Sequence, residues 1–189
     1  MVRNLERWHA EHHNFSRLLD LVDAWTKRFR VGEDGDYELL RDVMYYMTNY
    51  PDRFHHPLED VVFAELARRD ESLRAPVAEL AAQHERIAVD GQALVDDLDA
   101  IVGGAVMARE AVAADAERYA SHMRRHMASE EEMLMPAVAR EFSEADWEAA
   151  RQQLGGVDAD PLFGEAVEQR YAGLQQEIAR QVGCDCIRT

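Results

Sequence analysis

The sequence predicts an all-α protein, an up-down-up-down antiparallel four-helix bundle with additional C-terminal helices. Three observations predict it. Apolar residues recur at three- and four-residue intervals through four long stretches. No stretch alternates apolar and polar residues as a half-buried strand does. The stretches are separated by short polar or glycine-bearing connections, which force consecutive long helices to lie antiparallel. A chain of 189 residues, 47% of them hydrophobic, can bury one core of ordinary size. Residues 1–142 are expected to form the bundle, and residues 143–189 a helical extension packed on it and ending in a flexible tail.

The first helix is expected from Asn4 to about Arg30, with Leu5, Trp8, Phe15, Leu18, Leu19, Val22, Trp25 and Phe29 on one face. Gly32 and the acidic run to Asp36 end it and cap the next. A second helix follows from about Tyr37 to Arg68, striped by Leu40, Val43, Met44, Met47, Phe54, Leu58, Val61, Val62 and Leu66. Pro51 and Pro57 fall inside it, so its course is expected to bend or break there, because an interior proline removes a hydrogen bond and crowds the preceding turn. The third helix spans about Leu73 to Val102 and closes at Gly103-Gly104. The fourth spans about Val106 to Phe142, with Pro136 near its end. Ser143 then caps a short helix to about Leu154, and a last one is expected from about Leu162 to Gln181.

The formal net charge of −16 argues against nucleic acid and against an anionic membrane surface, both of which require excess Lys and Arg. The start of the chain has no apolar leader core and no stretch is apolar for long enough to span a bilayer, so a soluble, cytoplasmic protein is expected. The two cysteines, Cys184 and Cys186, give no disulfide framework and are read as part of the tail.

The chemistry gathers around Phe54-His55-His56-Pro57-Leu58-Glu59-Asp60, where two imidazoles and a carboxylate share about one helical turn. In the fourth helix His122, His126 and Glu130 follow at i, i+4 and i+8, on one face. His12 and His84 supply one imidazole each from the first and third helices. In an antiparallel bundle, a rise of 1.5 Å per residue puts His12, Glu59, His84 and Glu130 at depths of roughly 12–17 Å from the same end. A lone buried histidine is usually a hydrogen-bonded core residue. Several unpaired imidazoles and carboxylates at one depth are another matter, since burying each would cost about 2–7 kcal/mol in a domain stable by about 5–15 kcal/mol. Metal coordination resolves that cost. His9 and His13 point away and are expected at the surface, as is most of the acidic run Glu130-Glu131-Glu132.

With these motifs in order, Glu11-His12, His55-His56-Pro57-Leu58-Glu59-Asp60, Gln83-His84, and His126-Met127-Ala128-Ser129-Glu130-Glu131 with Met135-Pro136, the chain resembles the hemerythrin-like proteins of the HHE cation-binding family. The resemblance covers all four long helices. It implies a non-haem di-iron centre bridged by two carboxylates, with one position open to dioxygen or a related small ligand, and the matched ligands are His12, His55, Glu59, His84, His126 and Glu130. The family's oxygen carrier has two histidines at i, i+4 on the third helix, whereas Leu80 and Ala88 flank His84 here. His56 is therefore expected as the remaining nitrogen ligand, because Glu59 falls between His55 and His56 on the helical wheel. His122 is the runner-up. Asp60, furthest round, is expected to meet solvent or a neighbouring side chain. Tyr119, Thr48 and Met44 are core residues close to the ligands, and Gly91 leaves room for a small ligand or for loose packing.

Iron suits a mixed imidazole and carboxylate set, and manganese or zinc would serve as substitutes. A ferritin-like site would need two Glu-x-x-His motifs, of which Glu6-Arg7-Trp8-His9 is the one instance. Structural zinc would favour cysteines. Three readings follow: a protein that binds, senses or stores dioxygen or another diatomic; a di-iron enzyme scavenging peroxide or nitric oxide, for which His122 and Tyr119 would be proton donors; and an iron-handling regulatory module. The sequence does not choose between carrier, sensor and enzyme.

Overall fold

The computed structural model describes residues 2–33, 35–155 and 159–182, so the reading of Cys184 and Cys186 lies outside the described residues. Every regular element among them is helical. α1 (Val2–Arg30) ends at Gly32, whose φ of +83° suits a residue without a Cβ. α2 (Tyr37–Tyr50) starts on Asp36, whose side chain accepts the Leu39 N–H at 2.9 Å. α3 (His56–Arg69) and α4 (Arg74–Val102) follow, joined through a 3₁₀ turn that Asp70 caps. α5 (Arg109–Ser129) and α6 (Met135–Glu141) continue the chain. α7 (Glu144–Gln153) opens with a capping box between Ser143 and Asp146, and α8 (Ala172–Val182) is the last described helix.

The second and fourth helices of the sequence reading are each interrupted by a single π turn, the second where its prolines were expected to bend or break it. One spans Pro51–His55 and closes with the His56 N–H on the Pro51 carbonyl; the other spans Glu130–Leu134 and closes with the Met135 N–H on the Glu130 carbonyl. Each stands directly before a proline, Pro57 or Pro136, at the start of the next helix. A proline has no N–H for the i−4 carbonyl and its ring crowds that carbonyl, and a wider turn relieves both problems. The distortion therefore precedes His56 and leaves His56 to Glu59 in regular α-helix. The last helix is also shorter than expected. Asp160 accepts the backbone N–H of Leu162 and of Phe163, both at 2.8 Å, and turns the chain so that α8 begins ten residues later than Leu162.

Side-chain pairs show how the long helices lie. Arg30 with Glu117, Arg124 with Asp20 and His12 with Glu131 match α1 against the α5 segment in opposite directions. Arg41 with Asp99 and Asp60 with His84 do the same for α2, α3 and α4. α5 meets α4 through His122 with Asp90 and His126 with Gln83. The core has two apolar clusters, one including Phe15, Val22, Met44, Met47, Ile87, Leu94 and Met123, the other including Trp8, Leu58, Val62, Leu66, Leu80, Leu134 and Trp147. Along every long helix the switch from one cluster to the other is occupied by a buried polar residue: His12 between Trp8 and Phe15, His55 between Met47 and Leu58, His84 between Leu80 and Ile87, His126 and Glu130 between Met123 and Leu134. The bundle is thus apolar at both ends with one polar layer between.

Candidate metal centre

That layer brings together His12, His55, His56, Glu59, His84, His126 and Glu130, all buried, with Glu59 and Glu130 at 0% exposure. The imidazoles form two groups. Nε2 of His12 lies 3.2 Å from Nε2 of His55, and Nε2 of His84 lies 3.0 Å from Nε2 of His126, with the His56 ring stacked on His84 at 4.4 Å between centroids. The two glutamates stand between the groups. Glu59 Oε1 is 3.0 Å from His55 and 3.6 Å from His12, while its Oε2 is 3.7 Å from His84. Glu130 Oε2 is 3.4 Å from His12, while its Oε1 is 3.3 Å from His126 and 3.6 Å from His84. His56, Glu59, His84 and His126 bring ligand atoms within 4.8 Å of one another, and so do His12, His55 and Glu59, so each group could hold an ion.

The outward nitrogens are as ordered as the inward ones. Nδ1 of His12 meets Glu131 at 2.9 Å, of His55 Glu11 at 2.8 Å, of His84 Asp60 at 2.9 Å, of His126 Gln83 at 3.3 Å, and of His56 Asp52 at 3.0 Å. The oxygen acceptors on Nδ1 of His12, His55, His84 and His126 favour a proton there and turn each Nε2 inward, while Asp52 approaches His56 without a hydrogen bond. With no cation between them, one Nε2 of each pair, 3.0 or 3.2 Å apart, must carry a proton toward the other. The inward Nε2 of His56 and all four carboxylate oxygens of Glu59 and Glu130 lack any hydrogen-bond partner. Unpartnered buried acceptors cost several kcal/mol together, and one kind of guest satisfies them all: a cation. The donor set fits metal ions in the two groups.

Electrostatics within the layer divides the imidazoles. Burial first, and the neighbouring imidazoles second, push His56 far below the ordinary histidine range and His126 down to about 3, so both imidazoles are neutral. Burial also works against the charge on His55 and His84, but Glu59 and Glu11 outweigh it for His55, raised to about 10, and Asp60 and Glu130 for His84, raised to about 9. Burial would raise Glu59, yet His55 and His12 hold it well below the usual carboxylate range; Glu130, buried beside the charge of Glu59, is pushed up to about 7.

The runner-up His122 does not join the layer. Its Nδ1 pairs with Asp90 at 3.0 Å in the groove between α4 and α5. Tyr119 is fully buried and its hydroxyl has no hydrogen-bond partner, so neither residue is hydrogen-bonded to the layer. Gly91 marks close packing rather than open space: a Cβ there would lie 2.8 Å from Thr48 and 2.9 Å from the Tyr119 ring. His9 and His13 are exposed, as expected. Asp60 meets a neighbour, His84. The outer partners Glu11, Asp52, Gln83 and Glu131 were not singled out by sequence reasoning for that role. Glu11, Gln83 and Glu131 each directly adjoin a layer residue in the chain, and Asp52 lies one turn before His56, which is the signal that could have found them.

A family model described as Hemerythrin HHE cation binding domain matches residues 3–138. The match spans every residue of the layer and stops before α7. No curated protein matches the chain. Among the described residues no helix is long and apolar enough to cross a membrane.

Proposed function

The chain belongs to the hemerythrin HHE cation-binding family, and on that premise we propose that it is a non-haem di-iron protein that binds dioxygen or a related small ligand inside an up-down-up-down four-helix bundle. One observation carries the reading: five inward-facing imidazoles in two groups share two buried glutamates whose oxygens have no other partner. In this reading Glu59 and Glu130 would be shared by two irons, of which His12 and His55 would hold one and His56, His84 and His126 the other. Bound there, two ferrous ions supply the electrons for reversible binding of dioxygen.

The protein's own residues do the rest. Glu131, Glu11, Asp60 and Gln83 orient the rings of His12, His55, His84 and His126 from outside, and Asp52 stands 3.0 Å from His56. Trp8 and Phe15 cover His55 at 6.3 and 5.0 Å between centroids and exclude water. The group with two imidazoles has one nitrogen fewer than its neighbour, and the small ligand is assigned to that side. The described helices after residue 142, α7 and α8, act as an extension packed on this bundle through Trp147 and Leu174.

The test is reconstitution with ferrous iron in the absence of oxygen. Elemental analysis is expected to give two irons per chain, with a visible absorption change on admitting oxygen that reverses on its removal. Chelation is expected to lower the melting temperature, since a ligand bound only by the folded state adds RT ln(1 + [L]/Kd) to its stability. One iron per chain, or a spectrum indifferent to oxygen, would overturn the reading.

A further inference from the structure

Tyr46 lies one contact removed from the metal centre and is built differently from Tyr119, another buried tyrosine of the bundle core. It is 0% exposed, and its hydroxyl donates to Asp160 Oδ2 at 2.9 Å. Asp160 Oδ1 is already taken by two backbone N–H groups, so Oδ2 is the atom committed to Tyr46. Tyr119, equally buried, has no such partner. Asp160 also lies outside the residues matched to the family, in the loop that the C-terminal extension lays over α2.

Rings in contact lead from Tyr46 both inward and outward. Inward, Phe15 stands 6.4 Å from Tyr46 and meets His55 edge-on at 5.0 Å. Tyr50 stacks on Tyr46 at 5.7 Å, and its hydroxyl donates to Glu11, the partner of His55. Outward, Tyr46 meets Tyr171 edge-on at 5.7 Å, and Tyr171 lines a surface cavity of about 280 Å³ together with Tyr45 and Arg170. A buried phenol gives up an electron readily when a base takes its proton in the same step. Tyr46 has that base, a route to the centre and a route to solvent.

We propose that Tyr46 is an electron relay between the metal centre and the surface cavity beside Tyr171, with Asp160 as its proton acceptor. The inference rests on the di-iron reading. With the two irons already ferric, hydrogen peroxide would take two electrons from the centre and two protons from solvent and leave as two waters, and only a centre oxidised beyond ferric is strong enough to draw an electron from a phenol. Tyr46 returns one of those electrons while its hydroxyl proton passes to Asp160 Oδ2, leaving a neutral phenoxyl radical. A one-electron reductant of the ascorbate class supplies the other electron to the centre and a further one to the radical, and Asp160 then gives the proton back. The O–H bond of Tyr46 is the one bond broken and remade in the relay.

The experiment loads the full chain with iron, oxidises it in air to the ferric state, freezes it seconds after mixing with hydrogen peroxide and records its electron paramagnetic resonance spectrum, with iron content and melting temperature measured on the same samples. The parent is expected to show a tyrosyl radical that ascorbate removes. Tyr46→Phe is expected to lower its yield at least tenfold, and Tyr119→Phe to leave it unchanged. Asp160→Asn keeps a polar partner for the phenol but not a base, so the yield is expected to fall at least tenfold with two irons still bound; this variant decides the matter if Tyr46→Phe fails to fold. A parent with two irons and no radical, or an undiminished radical in either variant, overturns the relay alone. Fewer than two irons in the parent overturns the di-iron reading and the relay with it.

Discussion

The His12 and His55 side of the centre offers two imidazoles, whereas the His56, His84 and His126 side offers three. Their outer partners differ as well. His55 leans on Glu11, which is pinned by Arg7 at 2.9 Å and by Tyr50 at 3.0 Å, so the poorer side is held by a network reaching α2 and the surface. The richer side rests on separate contacts: Asp52 one turn before His56, Asp60 across to His84, and the neutral Gln83 on His126. The difference teaches that ligand number and ligand support are set independently. The side with fewer nitrogens, to which the small ligand is assigned, is the one whose ring is braced by a charged network and by two aromatic neighbours.

The largest effect is expected where the two sides share a residue. Glu59→Ala and Glu130→Ala each remove oxygens that face both groups, so both variants are expected to lose dinuclear binding, read as metal content after identical loading with ferrous iron. Retention of two metals by either variant would mean that the sides are independent sites. Next come the single-sided ligands. His55→Ala and His56→Ala each strip a nitrogen from one side and are expected to leave about one metal per chain. His122→Ala, which touches neither side, is expected to keep both. Loss of metal in His122→Ala comparable to that in His56→Ala would reverse their assignment.

The outer partners give the third tier. Outer contacts to metal-bound imidazoles are worth about 10–100-fold in metal affinity. Glu11→Ala is expected to fall at the upper end of that range, because it breaks the bond to His55 and frees Arg7 and Tyr50 together; Asp60→Ala is expected at the lower end with both metals still bound at saturating iron. A competition titration against a chelator of known affinity measures both. Equal losses would show that the network around Glu11 adds nothing to a single carboxylate.

Much of this centre was legible in the sequence, and the reason is geometric. His55 with Glu59 and His126 with Glu130 sit at i, i+4, and the equal depths of His12 and His84 follow from helix rise alone. His56 over His122 followed from the wheel, since Glu59 falls between His55 and His56. The π turns were not legible as such: the sequence marks Pro57 and Pro136, but whether a proline bends, breaks or widens a helix depends on the packing around it. The outer partners Glu131, Asp60 and Gln83 act across helices, which periodicity on one helix does not report. Gly91 shows the same limit, because a missing side chain reads alike whether it leaves a void or admits a neighbour. Here it admits Thr48 and Tyr119. Gly91→Ala is therefore expected to destabilise the fold by about 1–3 kcal/mol through overpacking, with metal stoichiometry unchanged. Urea denaturation of the metal-free protein reads it, and a neutral result would mean that the layer beneath the centre has slack.

The smallest effect is expected far from both sides and supplies the background against which they are compared. Arg69 donates to Glu65 at 2.7 Å and to Asp146 of the α7 capping box, tying α3 to the extension. Hydrogen bonds from Arg68 and Arg69 hold the Glu65 carboxyl down to about 2, and Arg69 with Ser143 holds Asp146 below the usual range. A carboxylate whose folded value lies below its unfolded one stabilises the fold above the unfolded value, about 4, and loses that contribution as pH falls through the folded value. The acid limb of stability, from about pH 5 to about pH 2, should therefore contain a component owed to this cluster. An exposed ion pair contributes at most about 1 kcal/mol, about 2–4 °C for a domain of this size, so Arg69→Met should lower the melting temperature of the metal-free protein by no more than that at pH 7. The gap should close as the pH approaches 2, because protonated carboxyls no longer gain from the guanidinium. A gap that stays constant with pH would assign Arg69 to packing on Phe142, over whose ring it lies at 4.8 Å, and not to charge.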